Sequence, residues 1–406
     1  MSENKQSLTL DDVLAAKERI SSTCIHTQLI HSLELSKEFN NTVYLKPENL
    51  QLTGAFKLRG ALNKIMQLSD EEKSRGLIAA SAGNHAQGVA YSGKALGIKT
   101  TIVMPKTTPL IKVQATKNWG ANVVLAGSVF DEASDEAFRL QKEHGYTFIH
   151  PFDDYDVMAG QGTIALEILE DLPDADVILV PVGGGGLISG IAVAAKAINP
   201  KIKVIGVEAK GAMGMRESII AGHPITLEKA DSIADGANVK HVGDKTFDIV
   251  KEYVDEIVTV SDEDLAEIIF LLVEKHKIVA EATGALSIAA LKKVNFTGKK
   301  VVSVISGGNI DILTMSSLLD RGLYSHGRLF CFSVQLQDTP GQLLKISNVL
   351  AEVGANVVKI DHNQFKAIDR LKHVSLEVTC ETNGHEHIAE IKKALTDNGY
   401  TIQVVY

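Results

Sequence analysis

Lys57 stands in TGAFKLRGA, residues 53–61, among small and apolar neighbours. A lysine partly withdrawn from water loses ammonium stability, and its free amine can form a Schiff base with a carbonyl. The competing reading is a solvated lysine at a helix start. Residues 81–88, SAGNHAQG, follow the apolar stretch 77–80. A Ser/Gly/Asn turn feeding a helix presents backbone N–H groups at the positive end of the helix dipole, which suits a carboxylate, although the same residues also cap helices that bind nothing. Gly183 to Gly186 separate an apolar run from a helical one. Consecutive glycines let the backbone come close to a ligand, and the helix start behind them favours phosphate; the alternative is a plain tight turn. The tract has neither the GK[ST] ending nor the GxGxxG spacing of nucleotide loops. SGGN, residues 306–309, closes the apolar run 301–305 and places a hydroxyl and an amide at the carboxyl end of a strand, where open α/β sheets bind ligands. Reactive lysine, carboxylate loop, phosphate loop and strand-end serine together describe a pocket for a phosphorylated aldehyde cofactor and an amino acid.

These segments need a frame, and the hydropathy pattern supplies one. Short apolar runs at 101–104, 122–125, 177–182, 204–207 and 301–305 alternate with helical stretches. Strands apolar on both faces and separated by helices form a parallel sheet covered on both sides, an α/β enzyme architecture. Asp131 to His144 is helical, with Phe138 on the stripe of Ala133, Ala137 and Leu140; so is Asp262 to His276, with Leu265, Ile268, Ile269 and Leu272. The uncharged run from Val177 to Ala195 approaches the ~20 residues of a membrane helix. Pro181 and the glycines interrupt it, so it reads as a buried strand, a turn and a helix from about Leu187.

The pattern changes near Gly327. Leu329 to Gln337 alternates, with Phe330, Phe332, Val334 and Leu336 on one face. A helical stripe follows (Leu343, Ile346, Val349, Leu350, Val353), opened by Pro340 and closed by Gly354. Then come strands at 356–361 and 371–379, a helix with Ile388, Ile391 and Leu395, and a last strand carrying Ile402, Val404 and Tyr406. The order is βαββαβ, an antiparallel sheet with two helices on one face and the other left for water or a partner. The boundary falls at 320–328, dividing the chain into domains of 1–325 and 326–406.

Composition narrows the function. The 406 residues hold 41 Lys+Arg against 50 Asp+Glu, a net charge of −9, with 45% hydrophobic and 5% aromatic residues. That balance opposes a nucleic-acid or anionic-membrane binder, which needs a basic face. Cys24, Cys331 and Cys380 are odd in number and widely spaced, which excludes a disulfide framework and points to a reducing cytoplasm. The polar start MSENKQSLTLDD has no signal-peptide pattern.

KPENLQLTGAFKLRGA, SAGNHAQG, GGGGL, SIADG, EATGA and SGGN, in this order, resemble the threonine dehydratases (threonine ammonia-lyases) of the pyridoxal-phosphate fold type II class over roughly residues 10–320. The C-terminal segment, with DTPGQLLKI, resembles an ACT regulatory domain, so the whole chain resembles the allosteric form with a single ACT domain. The resemblance implies a two-lobed catalytic domain over 1–325, with a small lobe at about 51–150 inserted in the large one, and a βαββαβ ferredoxin-like domain over 326–406. It makes Lys57 the lysine that bonds the cofactor aldehyde, with Phe56 beside it, Asn84 at the phenolic oxygen, and Gly183, Gly184, Gly185, Gly186 and Leu187 at the phosphate. Ser306 faces the pyridine nitrogen, Gly236 and Glu281 border the ring, and Glu281 joins Lys57 and Ser306 as a catalytic candidate. The loop of Ser81, Ala82, Gly83, Asn84 and His85 takes the substrate carboxylate. An amino-acid effector, isoleucine or valine, is expected at Asp338, Pro340, Gly341, Asn356 and Val357, between paired ACT domains of a homotetramer.

Departures from the family pattern are informative. Ala55 stands where many relatives have Ser, and HTQL at 26–29 replaces HTPL. Ala82 occupies the position at which serine racemases carry a second catalytic serine. The acidic cluster that binds a metal in those racemases is thin after Glu208 (AKGAMG), so no metal is expected. Serine dehydratase and serine racemase remain alternatives within enzymes. Outside them stands an amino-acid sensor built on a decayed enzyme scaffold.

Overall fold

The computed structural model describes residues 7–363 and 373–405, in two compact units, 1–311 and 312–406. The strand read from Leu371 therefore begins outside the described residues, as does Tyr406. The division at 311/312 places the helix Ile312–Ser325 with the C-terminal unit.

Among the described residues ten strands run through the first unit: β1 (Ile30–Ser32), β2 (Thr42–Pro47), β3 (Leu77–Ala80), β4 (Thr100–Met104), β5 (Asn122–Leu125), β6 (Thr147–Phe148), β7 (Val177–Pro181), β8 (Lys203–Ala209), β9 (Glu256–Val260) and β10 (Lys300–Ile305). They form a six-stranded sheet, β1-β2-β10-β7-β8-β9, parallel except for β1, and a four-stranded parallel sheet, β5-β4-β3-β6. β7 is buried along its whole length and β10 beyond Lys300, which is why VILVP and VVSVI read as apolar runs without alternation. Edge strand β5 is half exposed, with Leu125 at 45%.

Between β7 and β8 runs the helix Gly186–Ile198, buried from Gly186 to Ala195. Its lack of charge up to Ala195 reflects burial inside the fold. Among the described residues no helix is long and apolar enough to cross a membrane. Two helical readings need correction. Phe138 lies on the helix Phe130–His144 but is 47% exposed; it stacks on Phe148 at 4.8 Å, and only Ala133 and Ala137 of its stripe are buried. The helix from Asp262, capped reciprocally by Ser261 and Asp264, is α-helical to Leu271 and then widens into a π turn at Leu272–His276.

In the C-terminal unit β11 (Leu329–Gln337), β12 (Asn356–Asn363), β13 (His373–Glu381) and β14 (Ile402–Val404) form an antiparallel sheet in the order β12-β13-β11-β14. With the helices Gln342–Glu352 and His385–Asp397 this is the ferredoxin-like βαββαβ unit. Its core joins Phe330, Phe332, Val334 and Leu336 to Ile346, Leu350, Ile391 and Leu395. Pro340 precedes the first of these helices rather than opening it, because Gly341, at φ +90°, takes the cap position. All three cysteines are free thiols.

Candidate active site

The carboxyl ends of the parallel strands and the loops beyond them bring the motifs together. Lys57 begins the helix Lys57–Met66. Its Nζ donates to the Pro151 carbonyl at 2.6 Å, and burial lowers its pKa from 10.5 to about 8. No carboxylate among the described residues offsets that penalty. A neutral amine is thereby accessible near physiological pH.

A continuous path of contacts leads on from this lysine. Pro151 is followed by Phe152, whose ring would lie 2.5 Å from a Cβ on Gly184. Glycine is required there by close approach, and Gly185, at φ +94°, caps the helix Gly186–Ile198 without a side chain. That leaves N–H groups at the amino end of the helix free of any side-chain cap. The Thr246 hydroxyl fixes the turn by donating to the Gly184 carbonyl at 2.7 Å. Gly183 lies against Ala237 and Gly236, and Gly236 against Thr283. The Thr283 carbonyl faces Ser306 Oγ at 3.5 Å, and the Ser306 carbonyl accepts from the Phe56 N–H at 3.1 Å, which returns the path to Lys57.

Among the described residues Ser306, 1% exposed, has only that long contact at its hydroxyl, and Thr283 Oγ1 is buried with no partner. Buried hydroxyls left in this condition are costly unless a ligand completes them. The capless glycine turn has the chemistry to hold a phosphate, and the open hydroxyls and the Lys57 amine would suit the rest of pyridoxal phosphate.

Asn84 begins the helix Asn84–Ala95, whose cap, Gly83, offers no side chain; the Gly83 N–H donates to Ser81 Oγ at 3.3 Å. The loop 81–85 thus presents an uncapped helix start, with Ala82 half-buried. The His85 imidazole turns inward instead. Its Nε2 must donate to the Ile149 carbonyl, at 2.9 Å, and burial, reinforced by the Lys57 charge, lowers its pKa to about 3. It is neutral at working pH, and only its backbone belongs to the loop surface. Glu281 is 6% exposed and accepts from Asn84 Nδ2 at 2.6 Å; burial first and the Asp235 charge second raise its pKa to about 7. The other buried carboxylate singled out by the sequence, Glu208, accepts the Met215 and Arg216 N–H groups at 2.8 and 2.9 Å, tying down the helix Gly214–Ala221.

Several residues at the site were not identified from the sequence. Gly307 and Thr283 lie within quoted motifs without a role of their own, and Asn309 is read only as the amide at the end of SGGN. Pro151 and Phe152 lie in no motif. Lys46, Glu48, Arg59 and Glu167 form a buried ionic network beneath the Lys57 helix, with Lys46–Glu167 at 2.6, Arg59–Glu48 at 2.7 and Arg59–Glu167 at 2.6 Å. The charges in KPEN and KLRGA gave a signal for three of them; Glu167, in an apolar helix, gave none.

In the C-terminal unit Asp338, Pro340 and Gly341 line a cavity of about 320 Å³ together with His362 and Val374. Asn356 and Val357 do not. They pair with Glu381 and Cys380, at the other end of the strand whose first residue, His373, pairs with Gln337. Within one chain the two turns therefore stand on the order of 25 Å apart.

A sequence profile of the pyridoxal-phosphate dependent enzymes matches residues 20–307. The chain is 46% identical over 399 residues to an L-threonine ammonia-lyase of Thermotoga maritima, covering 98% of this chain and all of that one. Among solved structures it resembles the processed form of threonine deaminase isoform 2 from Solanum lycopersicum, with TM-score 0.74 and 39% identity over 77% of this chain and 91% of the other. It also resembles maize serine racemase, with TM-score 0.74 and 35% identity over 79% and 99%.

Proposed function

The chain belongs to the pyridoxal-phosphate dependent enzymes, and on that premise we propose that it deaminates L-threonine to 2-oxobutanoate and ammonia, and L-serine to pyruvate. The observation that carries this reading is Lys57, a desolvated amine with pKa about 8, closing a path that runs through Gly184, Gly236, Thr283 and Ser306. Pyridoxal phosphate supplies the electron sink for this chemistry when bound.

The protein's residues do the rest. The uncapped start of the helix Asn84–Ala95 binds the substrate carboxylate and so directs the Cα–H toward Lys57. Lys57 Nζ removes that proton; an amine with pKa about 8 both accepts and returns a proton near neutrality. Water is lost across Cα–Cβ, and hydrolysis of the resulting enamine gives the 2-oxo acid and ammonia. Ser306 is neutral, so it does not hold a proton on the ring nitrogen as a carboxylate would, which favours prompt elimination over transamination.

The C-terminal unit binds a branched-chain amino acid, isoleucine before valine, and passes the signal through a homotetramer. The cavity at Asp338–Gly341 and the open edges of β12 and β14 support this. With the turn of Asn356 and Val357 at the far end of the sheet, a groove lined by both turns requires two copies of the domain. The setting is the cytoplasm, in keeping with the free thiols, and the pathway is isoleucine synthesis or threonine catabolism.

Resemblance to a serine racemase raises a second reading. Ala82 opposes it, because a methyl group neither donates nor accepts a proton. One experiment separates the two: purified enzyme with L-threonine or L-serine, 2-oxo acid followed by a coupled assay, and serine chirality checked at the end. Dehydration of both substrates with little D-serine is expected, and Lys57→Ala should lose turnover together with the borohydride-reducible cofactor link. Rapid D-serine accumulation, or turnover by Lys57→Ala, would overturn the reading.

A further inference from the structure

Three side chains join end to end beside the pocket. Asn309 Nδ2 donates to the Thr53 carbonyl and to Asn84 Oδ1, both at 2.8 Å, and Asn84 Nδ2 donates to Glu281 Oε1 at 2.6 Å. The chain has a direction. Thr53 offers a carbonyl that only accepts, so Asn309 must turn its NH2 group that way, and this group has no lone pair for Asn84. Asn84 must therefore face Asn309 with its oxygen. At the other end an ionised Glu281 also only accepts, which again requires the Asn84 nitrogen on its side. Both ends thus select the same amide orientation, leaving the second Asn84 N–H to donate elsewhere. The cost of building the relay is visible in Gly307, where any Cβ would collide with Glu281 Oε1 and stand 3.0 Å from Asn84 Nδ2.

We propose that Glu281 and Asn309 are positioning residues that lock the Asn84 carboxamide with an N–H presented to the cofactor ring. This rests on the reading of Asn84 as a ring contact. Neither residue has to touch substrate, and Glu281 then acts through Asn84 rather than as an acid or base in turnover. Besides the neutral Asn84 carboxamide, Glu281 is faced among the described residues by two charged groups, Asp235 and Lys112, themselves paired at 2.8 Å. Asp235 adds to the penalty of ionising Glu281 and Lys112 relieves it, so the lock is strongest where the carboxylate is charged.

The test uses cofactor-loaded, full-length enzyme and two readouts: steady-state kinetics, and the pH at which the absorption band of the bound cofactor changes. Asn309→Ala and Glu281→Leu each remove one end of the lock. Both should lower kcat ~10- to 100-fold, the range for a hydrogen bond to a charged or developing charge, while KM for threonine moves less than about 3-fold. Both should also displace the spectral pH midpoint in the same direction as Asn84→Ala. Glu281→Gln keeps an acceptor oxygen and should restore kcat to within about 3-fold of the parent. If Glu281→Leu does not take up cofactor, Asn309→Ala carries the same test. Asn84→Ala with unchanged spectrum and kcat overturns the ring assignment and the lock with it. An impaired Asn84→Ala beside Asn309→Ala and Glu281→Gln that both titrate and turn over like the parent, with Glu281→Leu also parental or without cofactor, overturns the lock alone.

Discussion

The Arg59 guanidinium and the Glu48 carboxylate meet side by side two residues from Lys57, Nε to Oε2 at 2.7 Å and Nη2 to Oε1 at 2.8 Å, with 1% or less of either residue exposed. Nη1 and Nη2 of the same guanidinium also bind Glu167, whose second partner is Lys46. Two cations and two carboxylates are thus buried with their charges balanced, which is what makes their burial tolerable. Arg59→Met would leave the carboxylates facing one lysine and should cost ~3–5 kcal/mol, read as a lower urea midpoint. Arg59→Lys should recover little of it, because an ammonium cannot make the bidentate pair.

Gly184 and Phe152 share one space. Gly184→Ala would drive a methyl group to within 2.5 Å of the ring, displacing the turn that is to hold phosphate. Cofactor retention measured by equilibrium dialysis should weaken at least ~10-fold, the scale of one lost charge-assisted hydrogen bond. Gly184→Ala with Phe152→Ala should recover part of the loss, whereas a double variant no better than the single would place the defect elsewhere.

Half-buried Lys57 and buried Glu281 set opposite pH responses. Lys57 has its pKa lowered to about 8, so neutral amine accumulates as pH rises through 8, and kcat should climb to a plateau above it. In the cofactor-free protein a charged Lys57 is penalised, and stability should gain between pH 8 and 10.5, where only the unfolded chain still holds the proton. Glu281 behaves in the reverse sense. Its folded pKa of about 7 lies above the ordinary 4.5, so the folded state holds the extra proton in that window and stability falls as pH rises from 4.5 to 7. The loss is at most ~3 kcal/mol. Glu281→Gln should flatten this slope in thermal melts taken across the window.

Ser306→Asp should slow elimination and alter the absorption spectrum of the bound cofactor, since a carboxylate favours a protonated ring nitrogen. Parental rate and spectrum in this variant would remove Ser306 as the partner of that nitrogen.

Isoleucine added to full-length enzyme should shift the apparent affinity for threonine ~5- to 150-fold, the usual range of site-to-site coupling. Asp338→Ala, which changes the cavity of the C-terminal unit, should reduce the shift and leave basal kcat in place. A saturation curve indifferent to isoleucine and valine would leave that unit a structural role.

The sequence by itself determined strands β4, β5, β7, β8 and β10 of the first unit and the glycine turns that follow β7 and β10. β7 and β10 are buried on both faces and so are written as apolar runs, and the glycines at 183–186 leave an absence of side chains that sequence displays directly. Local signals of this kind survive because each depends on residues adjacent in the chain. Partnership does not. Glu167 meets Arg59 across 108 positions and Glu281 meets Asn84 across 197, and no local pattern encodes which distant side chain will face another. The tertiary structure decided that His85 turns its ring inward to Ile149, that Phe138 remains largely exposed, and that the turns at Asp338 and Asn356 lie at opposite ends of one sheet. It also decided the chemistry of Lys57. Lys57 is half-buried, and its pKa falls to about 8 because the packed fold desolvates it and no carboxylate among the described residues compensates, a property of everything around the residue rather than of its neighbours in the chain.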